Sequence, residues 1–157
     1  MTQLITTFYE SFKSLDAETM VSCYHDNITF EDPAFGILKG ERAKNMWRML
    51  LESLKGQPFK VHFDHVKLHG SIGQAHWETK YLFTKTGRKV HNSVDAEFTI
   101  KDGLIFYHKD EFNLHKWAIQ ALGWKGFVLG WTPLFKYKLQ EQTNYMLSEF
   151  ERKKAED

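Results

Sequence analysis

The chain has 157 residues, a length that fits one folded domain with its own hydrophobic core. Its 21 lysines and arginines balance 20 aspartates and glutamates, and a net charge of +1 excludes partners held by overall charge alone, whether nucleic acid or an anionic membrane. No apolar run approaches the roughly 20 residues that cross a bilayer, so we expect no membrane span.

The cysteine content bears on the cellular compartment, and the aromatic content bears on what the interior of the protein contains. Cys23 is the only cysteine, and a lone thiol cannot form an internal disulfide, so a reducing compartment is expected. Because no signal-peptide pattern opens the chain, we expect a cytoplasmic protein. Aromatic residues make up 15% of the chain, which suits either a bulky core or a lined ligand cavity.

The N-terminal third of the chain is predicted to be mainly helical. Apolar residues at helical spacing predict an amphipathic helix over residues 4–15, and Asp16 is placed to cap a second, short helix. The pattern of residues 28–33 predicts a short strand that Pro33 ends. A third helix is predicted over Glu41–Leu54, where apolar side chains form one stripe.

Beyond Pro58 the spacing of apolar residues changes to a period of two. Strands are predicted over residues 59–69, 71–84, 89–100 and 103–113, joined by short glycine-containing turns. Such strands form an antiparallel meander, and long twisted strands curl until the concave side can hold a ligand. The predicted fold class is therefore α+β, cone-shaped, with helices packed on a strongly curved antiparallel sheet that encloses a pocket.

The residues after the meander are predicted to add helices. Asn113 is placed to cap a helix over residues 114–122. Thr132 followed by Pro133 starts a final helix that runs to about residue 154, because proline is favoured at the first helical position.

These elements predict a single domain over residues 1–157, with a core over about 4–113 and a C-terminal helical extension over 114–157. The extension contains the apolar stretch 124–131. Three interpretations of this stretch are open: a membrane-surface segment, a lid, or a surface that packs on its own domain or on a twin subunit.

Alternation along the strands assigns side chains to the pocket. Trp77 and Tyr81 share the apolar face of one strand, and Asn92 and Phe98 share that of the next. Asn92 is the polar exception, and a buried amide without a partner costs about 1–3 kcal/mol. Asn92 therefore either satisfies a neighbour or binds a ligand.

The last strand carries a histidine and an aspartate two residues apart. The more apolar of its two faces is predicted to point inward and consists of Leu104, Phe106, His108, Asp110 and Phe112. An aspartate that accepts from one imidazole nitrogen orients the ring and raises its basicity. The alternative interpretation is a surface ion pair at the end of the strand.

The segment 24–33, which contains the tripeptide Glu-Asp-Pro, is followed by Gly36 and Gly40 and resembles the early motif of the nuclear transport factor 2-like superfamily. Within that superfamily it is similar to ketosteroid isomerases and SnoaL-like polyketide cyclases. The order of elements over about residues 4–113 also resembles this superfamily. The tail, with Trp117 and the run 129–133, resembles a bacterial subgroup of it.

This resemblance implies that Asp32 is a general base that moves a proton between carbons, and an apolar cavity would raise its pKa toward a useful value. The alternative is a turn residue before Pro33.

The two oxyanion donors of the isomerases are missing, since Phe8 stands at the tyrosine position and Ala96 at the acid position. Steroid isomerisation is therefore not expected. His108 or Asn92 as a replacement donor would permit a different enol or aldol-type reaction.

A limonene-epoxide-hydrolase-like branch of the superfamily uses an Asp-Arg-Asp trio. The four arginines of this chain fall on no inward strand position, which disfavours that branch. Asp110, Asn92 and Tyr81 leave water activation by other means open.

The sequence thus predicts a small-molecule pocket protein, with an isomerase or cyclase that uses Asp32 on an apolar carbonyl compound as the leading hypothesis. The alternatives are a non-catalytic binding module for an apolar ligand and a protein-interaction domain. The expected catalytic residues are Asp32, His108 and Asp110, and the expected substrate-binding residues are Asn92, Trp77, Tyr81, Phe8, Tyr24, Phe98 and Trp47. No metal or cofactor motif is present, so none is expected. A homodimer is expected, because superfamily members commonly pair through the convex sheet face.

Overall fold

A computed structural model describes residues 2–157, which form six helices and six strands. In chain order the elements are α1 (Thr2–Lys13), α2 (Ala17–Ser22), β1 (Tyr24–Asp32), β2 (Gly36–Lys39), α3 (Glu41–Leu54), β3 (Lys60–His69), β4 (Ile72–Phe83), β5 (Arg88–Lys101), β6 (Leu104–Glu111), α4 (Leu114–Leu122), α5 (Trp124–Leu129) and α6 (Pro133–Glu156). Within residues 2–157 no helix combines the length and apolar character that a bilayer crossing needs.

Three helix starts follow from local side-chain chemistry. Asp16 accepts a hydrogen bond from the Thr19 backbone N–H at 3.0 Å. Asn113 caps α4 in the same way, and Thr132 caps α6 with Pro133 in the first turn. These contacts satisfy amide groups that have no partner inside the helix, and they confirm the predicted caps.

The six strands form one sheet in the order β2-β1-β6-β5-β4-β3. Four neighbouring pairs are antiparallel, and β1 pairs with β6 in parallel. The α+β fold class with a curved sheet is confirmed. The sequence pattern did not predict the parallel pair, because β1 and β6 lie far apart in the chain. The residue pattern of each strand would be the same if it paired with a different strand.

The first strand and its neighbour differ from the prediction. β1 begins at Tyr24 rather than near residue 28, and the short strand β2 was not predicted. Asp32 pairs with Gly36 across a tight connection, so the glycine that indicated only a turn also begins a strand. The turn brings the Asp32 side chain close to the backbone of the residues that follow it.

The register of β5 and β6 decides which side chains reach the interior. Ala96 lies opposite Asp110, and Phe98 lies opposite His108. All four of these side chains are buried. The predicted inner face of this part of both strands is confirmed.

An irregularity near the start of β6 reverses the predicted faces there. Phe106 is an extra residue without a partner in β5, and Ile105 is fully buried in its place. Lys101 lies over the Phe106 ring, with its Nζ 4.7 Å from the ring centre. The prediction that Leu104 and Phe106 share the inner face with His108 is wrong, because a β-bulge changes the alternation by one residue.

The long helix α6 packs against the loop that follows β1. The side chains of Gln140, Thr143 and Asn144 donate hydrogen bonds to the backbone carbonyls of Pro33, Ala34 and Phe35 at 3.1, 2.8 and 2.9 Å. Three successive carbonyls thus find partners on one helix face. The C-terminal helix therefore holds the loop beside Asp32 in place.

Candidate functional site

An apolar cavity of about 310 Å³ lies between the concave face of the sheet, α3 and α6. Aromatic side chains form much of its wall, among them Phe12, Phe30, Trp47, Trp77, Tyr81 and Trp117. The polar groups that reach the cavity include Asp32, Asn92, Asp110 and Gln142. A mainly apolar wall with a few polar groups is typical of small-molecule sites.

Asp32 lies at the end of β1, where its side chain closes the following turn. Its Oδ1 accepts hydrogen bonds from the backbone N–H groups of Ala34 at 3.0 Å and Phe35 at 2.6 Å. The carboxyl group is also part of the cavity wall. Asp32 is thus a turn residue and a pocket residue at once, so the two interpretations of this position are compatible.

The surroundings of Asp32 change its acidity. Loss of hydration raises its pKa from 3.8 to about 7, and the negative charge of Asp110 acts in the same direction. The two backbone N–H donors oppose this effect, because they stabilise the ionised form. Near neutral pH, Asp32 is therefore present in both its protonated and its ionised forms.

A buried hydrogen-bonded chain runs behind the cavity wall. The Trp47 indole N–H donates to the Tyr24 hydroxyl at 2.8 Å, and that hydroxyl lies 2.7 Å from His108 Nδ1. His108 Nε2 lies 2.8 Å from Asp110 Oδ1, which also accepts from the Trp77 indole N–H at 3.4 Å. Five side chains thus connect two walls of the pocket.

The direction of these hydrogen bonds follows from which groups have a proton to donate. The Tyr24 hydroxyl accepts from Trp47, so it has one proton left to donate, and His108 Nδ1 is the partner within reach. The imidazole proton is then on Nε2, which donates to Asp110. The result is a carboxylate oxygen fixed by two donors.

His108 itself lies behind the wall rather than in it. Its ring is fully buried, and Phe8, Tyr24 and Phe98 pack around it with ring centres within about 6 Å. None of these four side chains lies among the cavity-lining residues of the described chain. Of the expected site residues, the cavity wall contains Asp32, Asp110, Asn92, Trp77, Tyr81 and Trp47.

Asn92 and Tyr81 present hydrogen-bonding groups to the cavity. No hydrogen bond joins the Asn92 amide side chain to another group of residues 2–157, so it does not satisfy a neighbour there. The Tyr81 hydroxyl accepts from the Trp117 indole N–H at 2.8 Å and keeps its own proton. Burial raises the pKa of Tyr81, so this proton remains in place at neutral pH.

Part of the wall comes from helices that sequence reasoning did not assign to the site. Leu139, Gln142, Thr143 and Met146 of α6 line the cavity. The apolar periodicity of α6 is weak, so the pattern gave little indication of an inward face. A usable signal was the spacing of Gln140, Thr143 and Asn144, which places three polar groups on one side of the helix.

The arginines take no part in the cavity wall that residues 2–157 form. Arg42 pairs with Glu151, and Arg48 pairs with Glu18 and Glu41. The cavity therefore lacks the guanidinium of the epoxide-hydrolase trio. Along the described chain, no three His, Cys, Asp or Glu side chains are arranged as a metal site.

Solved structures with similar folds come from several bacteria, whereas no curated protein matches this chain significantly. An LEH-like epoxide hydrolase from M. tuberculosis is 19% identical, with a TM-score of 0.59 over 82% of this chain and 89% of that one. A candidate polyketide cyclase from Xanthomonas campestris is 18% identical, with a TM-score of 0.61 over 76% and 94% of the two chains. A second candidate polyketide cyclase, from Pseudomonas putida, is 17% identical, with a TM-score of 0.60 over 76% and 96%.

Identities this low relate the folds and not the reactions. The sequence profile of the SnoaL-like domain matches residues 5–108, from α1 to the histidine of β6. The match covers more than half of the chain, and the solved structures agree with it in fold. This chain therefore belongs to the SnoaL-like family.

Proposed function

We propose that this protein is a general acid–base enzyme, an isomerase or cyclase, that acts on an apolar carbonyl compound. The observation that carries the proposal is Asp32, a carboxyl group in the wall of an apolar cavity whose pKa is raised to about 7. In the proposed step, Asp32 removes a proton from the carbon next to the carbonyl group. The resulting enolate either takes a proton back at another carbon or attacks a second carbonyl group.

The acidity of Asp32 suits this role. Proton transfer is most efficient when the pKa of the base lies near the working pH, because a useful fraction is ionised and the protonated form can return its proton. The two N–H contacts at Oδ1 fix the carboxyl group. We propose that the other carboxyl oxygen, Oδ2, accepts the proton from the substrate.

The enolate oxygen needs a hydrogen-bond donor, and we assign this role to Asn92 with help from Tyr81. His108 is a weaker candidate, since both of its ring nitrogens already have partners and its ring is fully buried. The Asn92 amide and the Tyr81 hydroxyl both line the cavity and have N–H or O–H groups to donate. Donors held in place before reaction stabilise developing charge strongly in a water-poor site.

Asp110 is assigned as a fixed acceptor for a hydroxyl group of the substrate. It lies opposite Ala96, the position at which the isomerases have their acid, so a neighbouring strand supplies a carboxyl group to the same region. His108 and Trp77 hold its Oδ1. We propose His108 as a positioning residue that acts through Asp110.

Exchange of the proton next to a carbonyl group tests the base without knowledge of the natural product. We expect the wild-type protein to accelerate deuterium incorporation from D₂O into 2-tetralone, an apolar ketone, as followed by NMR. Asp32→Asn keeps an oxygen for the Ala34 and Phe35 amides but cannot accept the proton. It should lower the rate by about 100-fold or more.

Asp26→Asn is the matched control, because Asp26 is an exposed aspartate of the same strand and pairs with Lys44 outside the cavity. It should leave the exchange rate unchanged. An Asp32→Asn protein that exchanges the ketone as fast as wild type contradicts the assignment. Tight binding of the ketone without any exchange by the wild-type protein would instead support the non-catalytic binding module.

We also propose a homodimer that pairs through the convex face of the sheet. This face has polar contacts such as His76 with Asp95 and His91 with Glu78, and it carries the exposed Ile72. Light scattering after gel filtration should give about twice the chain mass of 18.5 kDa. A mass of one chain at all concentrations would reject the dimer.

A further inference from the structure

The segment that forms α5 and leads into α6 exposes an unusual number of large apolar side chains. Six of them within eleven residues are between 52% and 73% exposed: Trp124, Phe127, Val128, Leu129, Trp131 and Leu134. We call these six side chains the α5 patch. Exposed apolar side chains that are clustered in this way are typical of interaction sites, whereas single ones need no explanation.

Two glycines explain why these side chains face outward. A Cβ atom on Gly126 would lie 1.9 Å from the Ala118 carbonyl oxygen, and one on Gly130 would lie 2.6 Å from the Ala118 Cβ. The backbone of α5 therefore lies directly against α4. His115 Nε2 lies 2.9 Å from the Phe127 carbonyl oxygen and donates to it. With the inner side of α5 occupied by backbone contact, its large side chains have only the outer side.

The α5 patch lies in a stretch of the chain that carries positive charge and no negative charge. No aspartate or glutamate occurs between Glu111 and Glu141, whereas four exposed lysines do: Lys116, Lys125, Lys136 and Lys138. The Nζ atom of Lys125 lies 5.9 Å from the centre of the Trp124 ring. Tryptophan and leucine beside lysine are typical of segments that lie at the interface of an anionic bilayer.

We propose that the α5 patch docks on the surface of an anionic lipid bilayer, which the protein binds without crossing. Two observations favour lipid over protein. Lysine is depleted in the cores of protein interfaces, and here it borders the apolar side chains. A second copy of the same segment would also bring two sets of lysines together, and the segment between Glu111 and Glu141 has no carboxylate of its own to offset them.

The patch and the cavity share one helix. Leu134, near the start of α6, belongs to the α5 patch, and Leu139 and Met146 further along line the cavity. A protein docked in this way holds an apolar cavity next to a phase in which apolar compounds dissolve. The docking itself does not depend on whether the cavity is catalytic.

Binding of the full chain to lipid vesicles tests the proposal. We expect the protein to sediment with vesicles that contain phosphatidylglycerol, and to bind vesicles of phosphatidylcholine alone about tenfold more weakly or less. Added salt should weaken the binding, because it screens the lysines. Tryptophan emission should shift to shorter wavelength on binding, as Trp124 and Trp131 leave water.

Two pairs of substitutions separate the apolar contribution to vesicle binding from the electrostatic contribution. Trp124→Ala with Phe127→Ala removes apolar contact, and Lys125→Glu with Lys138→Glu reverses the charge. Each pair should lower the partition into anionic vesicles by about tenfold or more. The matched controls, Ile37→Ala and Lys153→Glu, change an exposed apolar side chain and an exposed lysine elsewhere and should bind as wild type. Circular dichroism and thermal melting check that every variant folds.

Three outcomes would overturn the proposal. One is an absence of binding to anionic vesicles by the wild-type protein. Another is binding that both variant pairs retain. The third is a concentration-dependent dimer that disappears in the Trp124 and Phe127 variant while no vesicle binding is found, since it would assign the α5 patch to a second copy.

Discussion

The two oxygens of the Asp32 carboxyl group have different surroundings, and this difference decides what the residue can do. Oδ1 accepts two backbone N–H groups and is held by them. Loss of hydration in the apolar cavity nevertheless outweighs those donors, and it raises the pKa to about 7. A single side chain thus combines a fixed position with a proton that can leave near neutral pH.

The raised pKa of Asp32 predicts two opposite dependences on pH. The exchange rate of the ketone should rise with pH through about 7, because only the ionised form accepts a proton. The contribution of Asp32 to stability should fall over the interval from about 4 to about 7, since the unfolded chain releases the proton near 3.8 while the folded protein retains it. Asp32→Asn should therefore raise the free energy of unfolding above pH 7 by roughly 4 kcal/mol.

Urea denaturation at several pH values measures this difference, which should disappear toward pH 4 or so. Asp26→Asn provides the contrast. Its ion pair with Lys44 lowers the pKa of Asp26, so this substitution should not stabilise the protein at high pH. Equal stability of the Asp32→Asn and wild-type proteins above pH 7 would show that the carboxyl group is hydrated.

At the level of elements, the C-terminal helix α6 positions the base without touching the substrate proton. Its polar side chains hold the backbone carbonyls of Pro33, Ala34 and Phe35. The amides of Ala34 and Phe35 in turn donate to Asp32. A helix outside the matched SnoaL-like region therefore supports the carboxyl group through a loop.

We predict that loosening this loop changes both the rate and its pH dependence. Thr143→Val together with Asn144→Ala removes the contacts to the Ala34 and Phe35 carbonyls. Because the amides of the same loop lower the pKa of Asp32, a looser loop should shift the pH midpoint upward and lower the exchange rate by about tenfold.

The pH profile of the double variant checks this prediction. Glu149→Ala, on an outer part of the same helix and paired with Arg152, is the control and should change neither quantity. A double variant that loses rate at every pH with an unchanged midpoint would argue against positioning through the loop.

At the level of the whole molecule, the cavity joins elements that are distant in the chain. Asp32 comes from β1, Tyr81 from β4, Asn92 from β5 and Asp110 from β6, and α6 adds its own side chains. Charge is also distributed unevenly, since a net charge of +1 hides the lysine-rich segment around α5. The net charge of the whole chain therefore indicates neither the cavity nor the lysine-rich segment around α5.

A ligand that fills the cavity should stabilise the whole fold, because it contacts all of these elements at once. At a concentration about 100 times its dissociation constant, an apolar ketone such as 2-tetralone should add roughly 2.7 kcal/mol and raise the melting temperature by several degrees. Trp47, Trp77 and Trp117 line the cavity, so their fluorescence should change in parallel. An unchanged melting temperature at saturating ligand would mean that the ketone does not enter.

Much of the fold and part of the site were predictable from the sequence because they depend on neighbouring residues. The caps at Asp16, Asn113 and Thr132 are local side-chain chemistry. The alternation along β5 likewise put Asn92 and Phe98 on one side of a strand. The Glu-Asp-Pro tripeptide drew attention to Asp32 through its resemblance to a known motif.

Only the tertiary structure decided how these pieces meet. The parallel pairing of β1 with β6 brings Tyr24 beside His108, and the bulge at Phe106 sets which residues of β6 face inward. Neither could be inferred from a local pattern, because each depends on contacts between residues far apart in the chain. The sequence by itself determined most of the elements and the inner faces of β4 and β5, because these depend on neighbouring residues, whereas the placement of His108 behind Asp110, and of α6 over the cavity, was decided by packing.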